Sequence, residues 1–437
     1  MNVTVVGLGK IGLPLAVQFA KMGKVVLGAD INLETVECVN KGVEPFPEEE
    51  NLQKFLSEVV GSGNLRASTN TTECVAQSAV VVVVVPLFVN SKAEPDFRSM
   101  DSATEEIAKG LKKGTLVAYE TTLPVGTTRN RFTKKLEEIS GLRVGEDFNV
   151  VFSPERVLTG RVFSDLRKYP KIVGGVTDLC GVKGQEFYTS VIEFDHRSDL
   201  PKPNGVWILD SAESAEFVKL AETTYRDVNI GLANQFAKFA DKLNLNIYDV
   251  IDSSNSQPYS HIHQPGVAVG GHCIPIYPRF YLWGDPEATI VNAARVNNAS
   301  MPLYLVNQMN NFFKNHQNKK VLILGASYRA NVKEMAFSGV FDLDRELKSL
   351  GFEVEVFDTL FSAEEIDSHG LNSMTSPTNS YAAVVIQNTS NEFLSMFVNP
   401  DDWSGLIAIY DGRNLFGGST PILGVPIFGI GIGDSAP

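Results

Sequence analysis

The sequence predicts an α/β protein in which two doubly wound domains are joined by a long central helix in an all-α middle domain. Three observations predict it. The chain opens on a β-branched run, Val3–Val6, that enters a glycine turn, a helical apolar pattern and a second strand ending in Asp30. From Asp210 to Ser254 Gly231 is the only glycine, no proline occurs, and apolar residues recur at helical spacing. After Lys319 the order strand, glycine turn, helix, strand begins again. The expected division is 1–200, 201–303 and 304–437.

Taken in order, Leu13, Leu15, Ala16, Phe19 and Ala20 mark the first helix and Val25–Ala29 the second strand. The apolar run at 79–85 predicts a strand covered on both faces. A helix over 102–111, a strand over 115–122, a helix over 128–140 and strands at 148–156 and 170–175 follow. The stretch 198–205, with two prolines and a glycine, reads as a connection. Asp210 or Ser211 caps the long helix, 210–241, and a shorter helix comes next. In the third part a strand enters a turn at Gly325, a helix spans 337–351, and strands lie at 353–360, 382–389 and 406–414. The tail, 417–437, is rich in glycine and proline and is expected to be loosely ordered.

The 437 residues are 43% hydrophobic and 20% charged, enough for several domains with their own cores. The net charge of −13, without a basic block, argues against nucleic acid or an anionic membrane as partner. Cys38, Cys74, Cys180 and Cys273 are far apart, so neither a disulfide framework nor a metal site is expected. The N-terminus starts a strand at once and does not read as a signal peptide. The apolar run at 79–86 is too short to span a bilayer. A reducing, cytoplasmic setting is expected.

Two motifs carry chemistry. Residues 7–12 read GLGKIG. The first glycine permits the tight turn, the second lets backbone N–H groups approach a pyrophosphate, and the third lets helix pack on strand. Asp30 is placed to bind a ribose diol and repel a 2′-phosphate, so NAD is expected rather than NADP. The bland alternative is a βα turn without nucleotide. Residues 270–275, GGHCIP, hold Cys273 in a turn whose glycines permit close approach. His272 could lower its pKa, but a small buried filler is the usual fate of a free cysteine.

With both motifs present, the chain resembles the UDP-glucose/GDP-mannose dehydrogenase family of nucleotide-sugar 6-dehydrogenases in all three segments. TTLPVGTT (121–128) is similar to that family's strand-end loop, and FSPERVLTGR (152–161) to its Ser-Pro-Glu motif. EFVKLAETTYRDVNIGLANQFA (216–237) is similar to its central helix with a lysine, and YDGRN (410–414) to a motif of its third domain. The resemblance implies two Rossmann-like domains, NAD as cofactor, a UDP-sugar substrate and a homodimer. It also implies oxidation of sugar C6 to a carboxylate through a thiohemiacetal and a thioester on Cys273. In that scheme Lys219 stabilises the developing alkoxide, Glu155 is general base toward water, Thr122 helps hold that water, and Thr223 belongs to the same catalytic set. Around the cofactor it implies Gly7, Gly9, Lys10, Ile11, Gly12, Asp30, Pro86, Thr121, Thr122, Glu155 and Arg329. Around the sugar nucleotide it implies Glu155, Arg156, Val157, Leu158, Lys219, Tyr259, Gly270, Gly271, Cys273 and Tyr328.

The chain also departs from the family. Thr223 replaces an asparagine, Tyr277 an aspartate, and Tyr259 or its neighbour an arginine. Arg329, Ala336 and Gly339 replace a lysine, an arginine and a proline. Threonine is a shorter donor, and the lost aspartate removes a proton acceptor near the thiol. Arg279 and Arg295 are available cations. Retention of Cys273, Lys219, Glu155 and Thr122 favours an active enzyme over an impaired nucleotide-sugar binder. Glu155-Arg156-Val157 stands where glucose-acting relatives carry Glu-Phe-Leu. This favours UDP-N-acetylglucosamine or UDP-N-acetylmannosamine over UDP-glucose. A hydroxyacid or 6-phosphogluconate type of dehydrogenase would need neither Cys273 nor a third domain.

Overall fold

Apolar strands covered by helices build both sheets of this chain. In the computed structural model residues 1–47, 49–417 and 422–433 are described. They form two compact units: residues 1–222 with 279–285, and residues 223–278 with 286–437.

The first unit is built on an eight-stranded sheet. Its strands run in the spatial order Val206–Leu209, Lys171–Gly175, Asn149–Phe152, Leu116–Tyr119, Val80–Val83, Asn2–Val6, Val25–Ala29, Leu65–Ser68. Val80–Val83 is buried throughout, as a strand covered on both faces must be. The helix Gly12–Lys21 lays Leu13, Leu15 and Phe19 into the same core as Val3 and Val5. Two features were not expected. Val206–Leu209 pairs parallel with Lys171–Gly175, so the first sheet runs past the boundary drawn at 200. A four-residue edge strand next to Pro203 and Gly205 is too short to show a period, and the turn residues mask it. Lys171–Gly175 runs antiparallel to Asn149–Phe152, with Phe152 opposite Gly174. An antiparallel strand brings its first residue to the carboxyl end of its neighbour.

The long helix is Ala212–Leu243. Ser211, not Asp210, supplies the cap, its Oγ accepting the Ser214 N–H at 3.1 Å. The helix expected over 128–140 opens as a π-helical turn, Thr128–Thr133, before Lys134–Ser140.

The second unit carries a five-stranded parallel sheet in the order Glu353–Phe357, Lys320–Leu324, Ala383–Ile386, Ala408–Asp411, Ile427–Gly429. Its last strand corrects the expectation of a loosely ordered tail, because Ile427–Gly429 pairs with Ala408–Asp411. Beyond it the Ile247 N–H donates to the Gly431 carbonyl at 2.7 Å, and the Gly433 N–H to Asp241 Oδ1 at 3.1 Å. Residues 418–421 and 434–437 of that tail lie outside the described residues. Among the described residues no helix is long and apolar enough to cross a membrane.

Candidate active site

The strands Asn2–Val6 and Val80–Val83 are neighbours from which the chain winds in opposite directions, the place where open α/β sheets receive ligands. The glycine turn lies at their carboxyl ends. Gly7 has φ +92°, and a Cβ on Gly12 would lie 1.8 Å from the Gly7 carbonyl oxygen, so both must be glycine. A Cβ on Gly9 would meet nothing within 4 Å; the room it leaves faces outward. The helix that follows has no acidic residue and no side-chain cap in its first turn, which suits an anion at its N-terminus. Asp30 Oδ2 accepts the Leu8 N–H at 2.6 Å and Oδ1 the Asn32 N–H at 2.9 Å, so the acid is oriented by the turn it follows. These residues fit a dinucleotide. Lys10 and Ile11 are half-buried in the turn. Thr121 Oγ1 donates to the Val85 carbonyl at 2.7 Å, and Pro86 is exposed beside it.

A buried charge cluster lies at the carboxyl ends of the next strands. Glu120 follows Leu116–Tyr119, Glu155 follows Asn149–Phe152, and Lys171 opens the antiparallel strand. Lys171 Nζ donates to Glu120 Oε2 at 2.7 Å and to Glu155 Oε2 at 2.9 Å. The Tyr188 hydroxyl donates to Glu120 Oε1 at 2.6 Å. Two carboxylates share one ammonium, and their environments push them apart. Burial drives Glu120 up to about 7, with the Glu155 charge adding to it. Burial also acts on Glu155, but the Lys171 ammonium and the Arg156 N–H outweigh it and hold that carboxyl below its usual range. Glu155 is therefore the more readily ionised of the two. Its Oε1 accepts the N–H of Arg156 at 2.6 Å and of Val157 at 3.2 Å, which folds this loop around the carboxylate. The Leu158 N–H donates to Asp165 Oδ2 at 3.1 Å, and the Leu158 side chain is exposed.

One face of the long helix gathers these loops. Glu216, Lys219 and Glu222 are three residues apart and share that face. Glu216 Oε2 accepts the Gly126 N–H at 2.5 Å and its Oε1 the Thr128 N–H at 2.8 Å, anchoring the loop that carries Thr122. Burial pushes Glu216 up to about 7. Glu222 pairs with Arg156 at 3.3 Å, anchoring the loop that carries Glu155. Lys219 lies between the two anchors and is only 7% exposed, unlike an ordinary surface lysine. Thr122 is buried, and Thr223, one turn beyond Lys219, is fully so.

In the second unit Cys273 is exposed, which excludes the buried-filler reading. The flanking glycines have a different reason from the one expected. A Cβ on Gly270 would lie 2.7 Å from Tyr328 Cβ and 2.8 Å from the Phe337 carbonyl oxygen. A Cβ on Gly271, at φ +87°, would lie 2.8 Å from the Tyr328 ring. The room these glycines leave is filled by the protein itself. His272 Nε2 lies 3.6 Å from Glu334 Oε2 and its ring meets Phe337 edge-on. The Arg329 guanidinium lies 5.7 Å from the Tyr328 ring centroid. Tyr259 is 92% exposed.

Three models of one family match the chain in sequence order: the UDP-glucose/GDP-mannose dehydrogenase NAD binding domain over 1–192, the central domain over 213–300 and the UDP binding domain over 322–418. The chain belongs to the UDP-glucose/GDP-mannose dehydrogenase family. It is an NAD-dependent nucleotide-sugar dehydrogenase. It is 31% identical to the UDP-N-acetyl-D-mannosamine dehydrogenase of Pyrococcus horikoshii, covering 99% of this chain and all of that one. A solved structure of the enzyme from that organism superposes with a TM-score of 0.88. The enzyme of the same name from Escherichia coli K12 is 33% identical over 78% of this chain and 81% of its own. The NDP-N-acetyl-D-galactosaminuronic acid dehydrogenase of Ralstonia solanacearum is also 33% identical, over 79% of this chain and 80% of its own.

In this dehydrogenase several site-building residues were not among those the sequence singled out. Lys171 reads as the polar start of a short strand, and only the strand's direction brings it to Glu120 and Glu155. Glu216 reads as an ordinary polar position in the second turn of a helix, yet it is fully buried against the loop at 126–128. Their spacing from Lys219, three residues to either side, is the signal that could have singled out Glu216 and Glu222.

Proposed function

We propose that the chain oxidises UDP-N-acetyl-D-mannosamine at C6 to the uronic acid, with Cys273 as the nucleophile. The observation that carries the mechanism is the exposure of Cys273, while Cys38 is half-buried and Cys74 and Cys180 are buried. The relatives named UDP-N-acetyl-D-mannosamine dehydrogenase support the sugar. NAD, when bound, accepts a hydride from C6 in each of the two oxidations. The protein's part begins at the aldehyde. The Cys273 thiolate adds to it, forming a carbon–sulfur bond and an oxyanion that the Lys219 ammonium stabilises. After the second oxidation C6 is a thioester. Glu155, kept ionised by Lys171, takes a proton from the attacking water while Thr122 helps hold that water. The carbon–sulfur bond breaks, releasing the thiolate and the carboxylic acid, which gives its remaining proton to solvent and becomes the carboxylate.

Gly7, Gly9, Lys10, Ile11, Gly12, Asp30, Pro86, Thr121 and Arg329 complete the proposed cofactor set. Arg156, Val157, Leu158, Tyr259, Gly270, Gly271 and Tyr328 complete the substrate set, with Thr223 beside Lys219. The protein works as a homodimer. Tyr225, Leu232, Phe236, Phe239 and Leu243 leave an apolar stripe exposed along the long helix, which a second copy covers. The reaction belongs in the cytoplasm, where a free thiol stays reduced.

The test is the amount of NADH formed per mole of UDP-sugar, by the wild type and by Cys273→Ser. UDP-N-acetyl-D-mannosamine is compared with the N-acetylglucosamine, N-acetylgalactosamine and glucose analogues. Two NADH per N-acetylmannosamine nucleotide, with strong loss in the serine variant, is expected. Turnover of UDP-glucose alone would sink the sugar assignment, and binding without NADH would make the protein a binder.

A further inference from the structure

Arg295 lies in the helix Thr289–Ala299, and its guanidinium reaches the turn that carries the thiol. Its Nη1 donates to Asp227 Oδ1 at 3.0 Å and to the Ile274 carbonyl at 3.0 Å. Ile274 is the residue next to Cys273. Asp227 is fully buried on the long helix, and its Oδ1 also accepts Asn298 Nδ2 at 2.8 Å. Asn298 Oδ1 in turn accepts Asn234 Nδ2 at 2.8 Å, and Asn234 Oδ1 accepts the Gly266 N–H at 2.9 Å.

This run of side chains holds the segment 266–274 at both ends. Within the segment there is no strand or helix, and scattered backbone bonds take the place of a ladder: the Val267 N–H donates to the Gly412 carbonyl at 2.9 Å, the Gly271 N–H to the Ala336 carbonyl at 3.2 Å, and the Cys273 carbonyl accepts the Tyr277 N–H at 2.9 Å. The packing of Gly270 and Gly271 on Tyr328 fixes the middle. An ion pair with one partner fully buried and the other largely so gives little net stability over well-packed apolar residues, because desolvating the charges offsets their attraction. Its use lies in what it holds still. A nucleophile displaced by about 1 Å can lose about 100-fold in rate.

We propose that Arg295, locked by Asp227, is the positioning residue of Cys273: it sets the turn on which the thiol stands and so serves the second oxidation rather than the first. The inference rests on the reading of Cys273 as the nucleophile. The first oxidation needs no thiol. Loosening the turn therefore spares it and lets the aldehyde escape.

The test uses Arg295→Met and Arg295→Lys in the full chain, in a Cys38→Ser background so that only one accessible thiol reports. Two quantities are read. One is the rate at which iodoacetamide alkylates Cys273 in the protein without cofactor. The other is the NADH formed per UDP-sugar, with hydroxylamine present to trap aldehyde, using the UDP-sugar that the wild type turns over. For Arg295→Met the NADH yield falls from two towards one, oxime appears, and the first-hydride rate in a single turnover stays within threefold. Its alkylation rate changes at least fivefold, and Arg295→Lys recovers part of both effects. A yield that stays at two without oxime, or an equal loss of the first hydride, overturns the proposal.

Should Arg295→Met not fold, Asp227→Leu combined with Arg295→Met removes both buried charges together and carries the same readouts. If neither folds, Arg295→Lys decides alone: two NADH and wild-type alkylation overturn the proposal. Cys273→Ser is run alongside. Two NADH from that variant would refute the nucleophile itself, a failure distinct from any result at Arg295.

Discussion

The two sheets of this protein each begin with a strand that enters a glycine turn, and each has an aspartate closing the next strand. The two turns differ in what occupies that acid. Asp30 is half-buried and accepts two backbone N–H groups, at 2.6 and 2.9 Å. Asp358 is buried, and its Oδ2 alone accepts the Ala326 N–H, the Ser327 N–H and the Ser327 hydroxyl between 2.8 and 3.0 Å. Asn388 Nδ2 also donates to it at 3.3 Å. The first turn runs straight into the helix Gly12–Lys21, whose N-terminus can face an anion. In the second unit the next helix, Gly339–Ser349, lies well beyond Gly325 in the chain. A strand, a glycine and an acid are therefore not enough to make a dinucleotide site. The acid must keep lone pairs for a ligand, and a helix must begin at the turn.

The largest effect that would sharpen this contrast comes from Asp358→Ala. It strips several donors of a shared, buried acceptor and should lower the unfolding free energy by about 3 kcal/mol. Urea denaturation reads this, and NADH affinity should stay within about twofold. A variant of wild-type stability would show that Asp358 is not the structural acid of the pair.

Asp30→Ala should do the reverse. It should weaken NADH binding by about 10- to 100-fold, the worth of one lost charge-assisted hydrogen bond of about 1.5–3 kcal/mol. Fluorescence titration measures it, and relative tolerance of NADPH should rise as the charge disappears. Unchanged affinity for both cofactors would break the comparison.

The glycines give a smaller pair. Gly325 has φ +111°, and a Cβ there would lie 2.8 Å from Asn388 Cγ, so Gly325→Ala should cost about 1–3 kcal/mol of stability. Gly9→Ala has open space and should leave the denaturation midpoint nearly unchanged, within about 0.5 kcal/mol. Its effect should appear in NADH affinity, because the new methyl would stand where the proposed cofactor set has the cofactor approach. A large stability loss from Gly9→Ala would mean that this turn is as closed as the other.

Periodicity and turn chemistry are local, and they make much of this molecule readable from the order of its residues. Val80–Val83 is covered on both faces as its composition requires, and the long helix begins at Ser211, one of its two candidate caps. The glycine turn with Asp30 was legible because tight backbone geometry admits few residue types. The exposure of Cys273 was not legible, since a thiol among glycines serves equally well as a filler or as a nucleophile. Nor was the reason for Gly270 and Gly271, because Tyr328, which fills the space beside them, comes from a distant part of the chain.

By itself the sequence determined the central strands and helices of both sheets, the glycine turn after the first strand and which residue types were available for chemistry, since each depends on neighbours within a few positions. Only the tertiary structure decided which charges meet. The reversal of one five-residue strand sets Lys171 between Glu120 and Glu155; burial pushes Glu120 up to about 7 in spite of the ammonium, while the ammonium and a backbone N–H hold Glu155 low against the same burial. The packing of Thr289–Ala299 on the long helix sets Arg295 against Asp227 and the Ile274 carbonyl. Strand direction and helix docking are settled by the burial of whole faces, and burial then fixes the electrostatics of groups that no local pattern connects.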